Sequence, residues 1–186
     1  MIQVEHSFLH CATGGTEIRL CVESRYHCRP EKAYPHPVAN ITVSIDIAAS
    51  LDRVWRETAD LASHAQWMAD AESIEFLTEQ RSGVGVRMRV ATRVGPFRTY
   101  DEMEITEWID RHSIRVRHVG LVTGEGIFKL DANQSGTRFT WSERLTFPWY
   151  LGGPVLEQAA KPILTRVWRR NLNRLRRKIE SVTDPS

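Results

Sequence analysis

The chain has 186 residues, of which 41% are hydrophobic and 26% are charged, and its formal net charge is +2. These values are ordinary for a single globular domain. A net charge so close to zero does not indicate a nucleic-acid-binding protein, and no apolar run approaches the roughly 18 residues that a membrane-spanning helix requires. We therefore expect no nucleic-acid partner and, because no signal peptide is visible, a cytoplasmic location.

Residues 1–38 differ from the rest of the chain, because they hold all three cysteines and no sustained apolar period. Cys11, Cys21 and Cys28 are ten and seven residues apart, a spacing that matches no common zinc motif, so we predict no metal site. Three prolines follow Cys28 closely, which is typical of a segment outside a folded domain. We interpret residues 1–38 as a flexible or non-native extension, residues 39–183 as one domain and residues 184–186 as a tail.

The predicted domain begins with a strand and two short helices. Apolar and polar residues alternate strictly from residue 41 to residue 47, which is the pattern of a half-buried strand. Ser50 then occupies the N-cap position of a helix that carries Leu51, Val54 and Thr58 at helical spacing. A second short helical segment is predicted for residues 61–68.

Only strand-like segments follow until the last forty residues. We predict strands at residues 73–78, 85–94, 97–108, 113–119, 126–130 and 137–147. Turns are predicted between them, including one at residues 122–124 and a hairpin turn at residues 133–136. Consecutive strands separated by short turns indicate an antiparallel meander rather than alternating strands and helices.

A single long helix, predicted for residues 154–181, closes the chain. Pro162 lies near its start and should either kink the helix or start it afresh. Eight basic residues and no acidic residue lie between positions 161 and 178, and they could form a solvated outer face or contact an anionic membrane surface. The residues that could make this contact are Arg166, Arg169, Arg170, Arg176 and Arg177.

This order of elements and several segments of the sequence resemble the START-like superfamily, also called SRPBCC, and within it the polyketide cyclase/dehydrase-like branch. The matching phrases include IDIAASLDRVWRETADLASHAQWM, GVGVRMRV and the long GPVLEQAAKPILTRVWRRNLNRLRRKIE. The resemblance implies an α+β helix-grip fold, in which a seven-stranded antiparallel sheet wraps around the long C-terminal helix and leaves a cavity. It also implies an apolar ligand, since members bind lipids, sterols or polyketides and some are cyclases or aromatases.

Strand parity and helix spacing indicate which side chains would face that cavity. Asp101, His118 and Glu143 share their strand faces with apolar residues, although they could also reach solvent at strand ends, or Glu143 could pair with a nearby arginine. The predicted ligand-binding residues are Trp67, Met88, Val90, Met103, Val116, Phe128, Phe139, Trp141, Glu143, Ile163, Val167 and Trp168.

Two main functions are compatible with this arrangement. We favour binding of a hydrophobic small molecule, lipid or polyketide-like, without catalysis. The alternative is a cyclase or dehydratase in which His118 exchanges protons with Glu143 or Asp101. A weaker alternative is a membrane- or ribosome-associated protein that acts through its basic helix. No phosphate-binding glycine loop, HExxH or GxSxG motif is present, so we expect no cofactor. Convergence of two ionisable groups in one pocket would distinguish an enzyme from a binding protein.

Overall fold

A computed structural model describes residues 39–151 and 153–181 of the chain. The predicted N-terminal extension (residues 1–38) and tail (residues 184–186) lie outside the described residues. The three cysteines lie there too. The domain boundaries proposed from the sequence therefore stay predictions.

Seven antiparallel strands form one sheet, as the sequence predicts. Their bounds are β1 Ala39–Ile47, β2 Ala71–Phe76, β3 Arg87–Val94, β4 Phe97–Ile109, β5 Ser113–Val119, β6 Thr123–Asn133 and β7 Gly136–Thr146. The order across the sheet is β1-β7-β6-β5-β4-β3-β2, so the six later strands form a meander and β1 pairs with the last of them. This α+β helix-grip architecture confirms the predicted fold class.

The helices also follow the predicted order. They are α1 Leu51–Ala59, α2 His64–Trp67 and α3 Gly153–Glu180, with short 3₁₀ turns at Leu61–Ser63 and Trp149–Leu151. Ser50 caps α1, because its side-chain oxygen accepts a hydrogen bond from the backbone N–H of Arg53 at 3.3 Å. Helix α3 runs through Pro162 without interruption. The alternative prediction that a new helix begins at this proline is therefore wrong.

The predicted turn at residues 122–124 is wrong, because β6 already begins at Thr123 and pairs with β7 from that residue onward. Gly124 has a φ of +149°, and a Cβ at this position would overlap the carbonyl oxygen of Arg144 on β7. A glycine is therefore required by close approach of the two backbones. The local sequence pattern instead predicts a turn at this glycine.

The buried apolar side chains of the described residues form two clusters, and only the first includes residues of α3. The C-terminal half of the helix packs directly on β1 and β7, where Leu172, Leu175 and Ile179 are at most 1% exposed. A second cluster, which includes Val86 and Ile105, lies under the β2–β5 end of the sheet. Because the helix is pressed onto the sheet at one end only, space remains between its N-terminal half and β3–β7.

Candidate functional site

A cavity of about 700 Å³ occupies this space. It is lined by side chains from the sheet, from the segment around α2 and from α3, and most of them are apolar. Volumes of roughly 300–1,000 Å³ with mainly apolar walls and a few polar groups are typical of small-molecule sites. The cavity is therefore the candidate functional site.

Nine of the twelve side chains predicted from the sequence line the cavity. They are Met88, Val90, Met103, Val116, Phe128, Trp141, Glu143, Ile163 and Trp168. The sheet supplies the first seven from alternate positions of β3 to β7, which is the consequence of the period-two rule on which the prediction was based. The helix supplies Ile163 and Trp168.

The other three, Trp67, Phe139 and Val167, do not line the cavity, contrary to expectation. Trp67 and Phe139 are 1% and 0% exposed and lie in the core, where both contact Phe128. Val167 is half-buried and packs against the same core. Trp67 and Phe139 face the ring of Phe128 and not open space. Val167 is turned by about 100° around the helix axis from its cavity-lining neighbour Trp168.

His118 on β5 and Glu143 on β7 meet inside the cavity. Nε2 of His118 lies 3.1 Å from Oε2 of Glu143, and the indole N–H of Trp141 donates to Oε1 of Glu143 at 2.8 Å. Glu143 is only 5% exposed. Its partners are a histidine and a tryptophan, so it neither reaches solvent at a strand end nor pairs with an arginine. Two ionisable groups therefore converge in one pocket.

Gly126 makes this contact sterically possible. It lies on β6, between β5 and β7, and pairs with Glu143 in the sheet register. A Cβ at residue 126 would overlap the carboxylate of Glu143. The missing side chain thus provides the space in which the carboxylate reaches across β6 to His118.

We expect Gly126→Ala to separate this pair while leaving the sheet intact, because the group in its way is the end of a flexible side chain. Loss of the Glu143 contact should lower the pKa of His118 and weaken the hydrogen bond from Trp141. NMR titration of the histidine rings measures the first effect, and tryptophan indole N–H shifts measure the second. Glu125→Ala, which changes an exposed residue on the same strand, is the control. Unchanged His118 titration in Gly126→Ala would contradict this role for Gly126.

The pKa of His118 reflects two opposing influences. Burial lowers it, but the hydrogen bond and negative charge of Glu143, together with the charge of Asp101, raise it more. The pKa therefore lies above its ordinary value of 6.5. A histidine in this state can hold a proton near neutral pH and transfer it to a bound molecule.

Asp101 on β4 is the third ionisable group of the cavity and is 7% exposed. The hydroxyl of Thr99 donates to its Oδ2 at 3.1 Å. Its Oδ1 is buried and has no hydrogen-bond partner within residues 39–151 and 153–181. A buried acceptor without a donor is costly, so this oxygen is a candidate contact for a bound molecule.

Three further titratable residues line the cavity and are not among those predicted from the sequence: His64, Asp70 and Arg98. His64 is hydrogen-bonded through Nε2 to the carbonyl oxygen of Thr58 at 2.8 Å, and burial lowers its pKa to about 4. Asp70 accepts a hydrogen bond from the side chain of Asn171, and burial raises its pKa. His64 and Asp70 lie in or beside the four-residue helix α2, which was predicted but is too short for helical spacing to indicate which side chains face the cavity.

In the described part of the chain, no group of three or more His, Cys, Asp or Glu side chains is arranged to hold a metal ion. The same residues contain no helix that is long and apolar enough to cross a bilayer. Of the basic side chains on α3, Arg166, Arg169, Arg170 and Arg177 are exposed and Arg176 is half-buried. Contact of these arginines with a membrane surface stays a prediction.

Comparison with known families agrees with this architecture. The model of the family described as "Polyketide cyclase / dehydrase and lipid transport" matches residues 38–180, which is most of the chain. No curated protein matches the sequence significantly.

Solved structures with the same fold include proteins of several kinds. The Zhui aromatase/cyclase from Streptomyces sp. R1128 has a TM-score of 0.66 and 18% identity over 77% of this chain and 94% of its own. A START superfamily protein from Mycobacterium smegmatis has a TM-score of 0.64 and 12% identity over 77% and 99%. A protein from Thermus thermophilus has a TM-score of 0.61 and 21% identity over 78% and 98%. At these identities the likeness extends to the fold and no further.

Proposed function

This chain belongs to the polyketide cyclase/dehydrase and lipid transport family, and from that premise we propose that it binds an apolar small molecule in the cavity between the sheet and α3. The observation that carries the proposal is a cavity of about 700 Å³ whose lining is mainly apolar. Burial of an apolar ligand there gains free energy in proportion to the surface removed from water, at about 25 cal/mol per Å². The His118–Glu143 pair then lies beside one part of the ligand and fixes its orientation.

We expect Ala160→Trp to abolish or strongly weaken ligand binding, because Ala160 lines the cavity from α3 and an indole would occupy the space. The measurement is fluorescence titration with N-phenyl-1-naphthylamine, a neutral apolar probe. The parent protein should bind it saturably with one-to-one stoichiometry. In Ala160→Trp the affinity should fall at least about tenfold, which corresponds to roughly 1.4 kcal/mol.

The matched control is Lys161→Trp, which adds the same ring at the neighbouring exposed position of α3. This variant should bind the probe as the parent does. Equal binding by Ala160→Trp and the parent, or no saturable binding by the parent, would refute a ligand site in this cavity. Native mass spectrometry of the purified protein provides an independent measurement through any compound that co-purifies.

The contact between His118 and Glu143 favours a second candidate function, an acid–base enzyme of the cyclase or dehydratase type. One partner would withdraw a proton from the substrate, and the other would protonate a departing hydroxyl group, which leaves as water. The dyad lies among mainly apolar side chains, where water competes less for the proton transfer.

The two functions differ in what the purified protein retains. Compounds extracted from the parent and from Glu143→Gln can be compared by mass spectrometry. A binding protein should hold the same compound in both. A dehydrating enzyme should hold product in the parent and, in the variant, a compound heavier by one water.

A further inference from the structure

We propose that the cavity selects neutral or cationic ligands that present a hydrogen-bond donor, such as an alcohol, a phenol or an amine, and rejects carboxylates and phosphates. This rests on the proposed function and specifies its ligand class. Two independent observations carry it: the set of charged groups that line the cavity, and the unpartnered oxygen of Asp101.

The first observation is that every cationic group that the described residues place on the cavity wall already has a partner. The ionisable residues that line it are His64, Asp70, Arg98, Asp101, His118 and Glu143. The guanidinium of Arg98 is half-exposed and lies 2.8 Å from a carboxylate oxygen of Glu72. His118 is held by Glu143. His64 is buried with its Nε2 on a backbone carbonyl, and burial keeps it neutral near pH 7 because its pKa is about 4.

An anionic ligand group would therefore enter a wall that holds three carboxyl groups and, among the described residues, no buried cation without a partner. Removal of a charged group from water costs several kcal/mol unless an opposite charge or several hydrogen bonds replace the solvent. Of the cations on the wall only His118 is mostly buried, and a fatty acid or a lipid phosphate would have to displace Glu143 to reach it. That exchange leaves the buried carboxylate of Glu143 without its ionic partner, whereas Arg98, with 53% of its side chain exposed, offers only a contact weakened by water.

The second observation is that Oδ1 of Asp101 lacks a donor among the described residues. Asp101 lines the cavity and is 7% exposed, and Thr99 satisfies only its other oxygen. Residue 120, beside it, is a glycine whose Cβ would lie 2.9 Å from this oxygen, so no side chain from that position covers it. A ligand hydroxyl or ammonium group can donate here, and a carboxylate or phosphate cannot.

The experiment compares three probes with one skeleton: 9-anthracenemethanol, 9-(aminomethyl)anthracene and 9-anthracenecarboxylate, titrated at pH 7 by fluorescence. Their polar groups are, in this order, a neutral hydrogen-bond donor, a cationic donor and an anionic acceptor. We expect the alcohol and the amine to bind saturably and the carboxylate to bind at least about tenfold more weakly than either, since each factor of ten requires only about 1.4 kcal/mol.

Asp101→Asn then tests the proposed contact, because it retains the shape of the side chain and removes its charge. The ratio of amine affinity to carboxylate affinity should shrink by about tenfold or more. Glu102→Gln is the matched control: it removes one carboxylate from the adjacent residue of β4, which points to the other face and pairs with Arg87 and Arg89. This control should leave the ratio unchanged.

The results distinguish a wrong ligand preference from the absence of ligand binding. If the carboxylate binds as tightly as the amine, the proposed ligand preference is wrong, although ligand binding itself is shown. The preference is also wrong if the ratio of amine affinity to carboxylate affinity is unchanged in Asp101→Asn. If none of the three anthracenes binds and N-phenyl-1-naphthylamine also fails, the preference and the proposed function are both wrong. If Asp101→Asn does not fold, as judged by circular dichroism, the three-probe series on the parent protein decides by itself.

Discussion

Replacement of Glu143 by Gln is expected to lower the pKa of His118 from above 6.5 to below it. Burial is the largest influence on this histidine and lowers its pKa, while the hydrogen bond and charge of Glu143 and the charge of Asp101 raise it. Glutamine retains the shape of the side chain but removes the charge, so burial then dominates. The pKa of His118 should therefore decrease, because the loss of the neighbouring negative charge removes the main influence that favours the protonated ring.

NMR titration of the histidine ring resonances measures this change, with His118→Asn used to assign the signal. Glu125→Gln on the neighbouring strand β6 removes an exposed carboxylate and serves as the control, in which His118 should titrate as in the parent. If the pKa of His118 is the same in Glu143→Gln and in the parent, the two side chains are not electrostatically coupled. An acid–base role for the pair would then be wrong.

The interaction of His118 with Glu143 also makes the free energy of unfolding depend on pH. Because the folded-state pKa of His118 is raised above 6.5, its protonated form stabilises the folded protein fully below pH 6.5. That contribution is lost as the pH rises through the folded-state pKa. In Glu143→Gln this pH-dependent gain should disappear.

Acidification is expected to destabilise the domain through His64, by about 3 kcal/mol between pH 6.5 and pH 4. The folded-state pKa of His64 is about 4 because the ring is buried, whereas the unfolded-state value is 6.5. Below pH 6.5 the unfolded chain binds a proton that the folded protein does not, so the free energy of unfolding falls as the pH falls. A difference of about 2.5 units at 1.36 kcal/mol per unit gives the stated magnitude.

Urea unfolding of the parent and of His64→Gln at pH 7.0 and pH 4.5 isolates this contribution from that of the acidic residues, which both proteins share. The variant will be less stable at both pH values, but its loss of stability on acidification should be smaller than that of the parent. His112→Gln, a change at an exposed histidine, should lose as much as the parent. Direct NMR titration of His64 provides a second measurement, and a pKa near 6.5 would contradict this account.

The order of the elements could be predicted from the sequence because most of them carry a local signal. Alternation from residue 41 to residue 47, the cap at Ser50 and the apolar period of α3 are read from neighbouring residues alone. The same parity rule assigned Asp101, His118 and Glu143 to the inner face of the sheet before any contact was known. Local periodicity therefore predicts the elements and the side of the sheet on which the site lies, whereas the wrapping of the sheet around the long helix follows from the family resemblance.

The contacts within the site could not be predicted, because they depend on register across strands that are not adjacent in the sheet. His118 and Glu143 meet only because β6 places a glycine between them, and Gly126 gave no distinguishing sequence signal. The assignment of Trp67, Phe139 and Val167 to the cavity was wrong for a related reason. Inward orientation is a local property, but the gap between α3 and the sheet depends on how the whole helix is seated.

Because only the C-terminal half of α3 is packed on the sheet, the residues that stabilise the fold are separate from those that line the cavity. Residues that anchor the helix, such as Leu172 and Leu175, lie at one end, while residues that line the cavity, such as Ala160 and Ile163, lie at the other. Substitutions at the second end can change which molecule is accepted without loosening the first. The composition of the cavity wall can therefore vary while the architecture is retained.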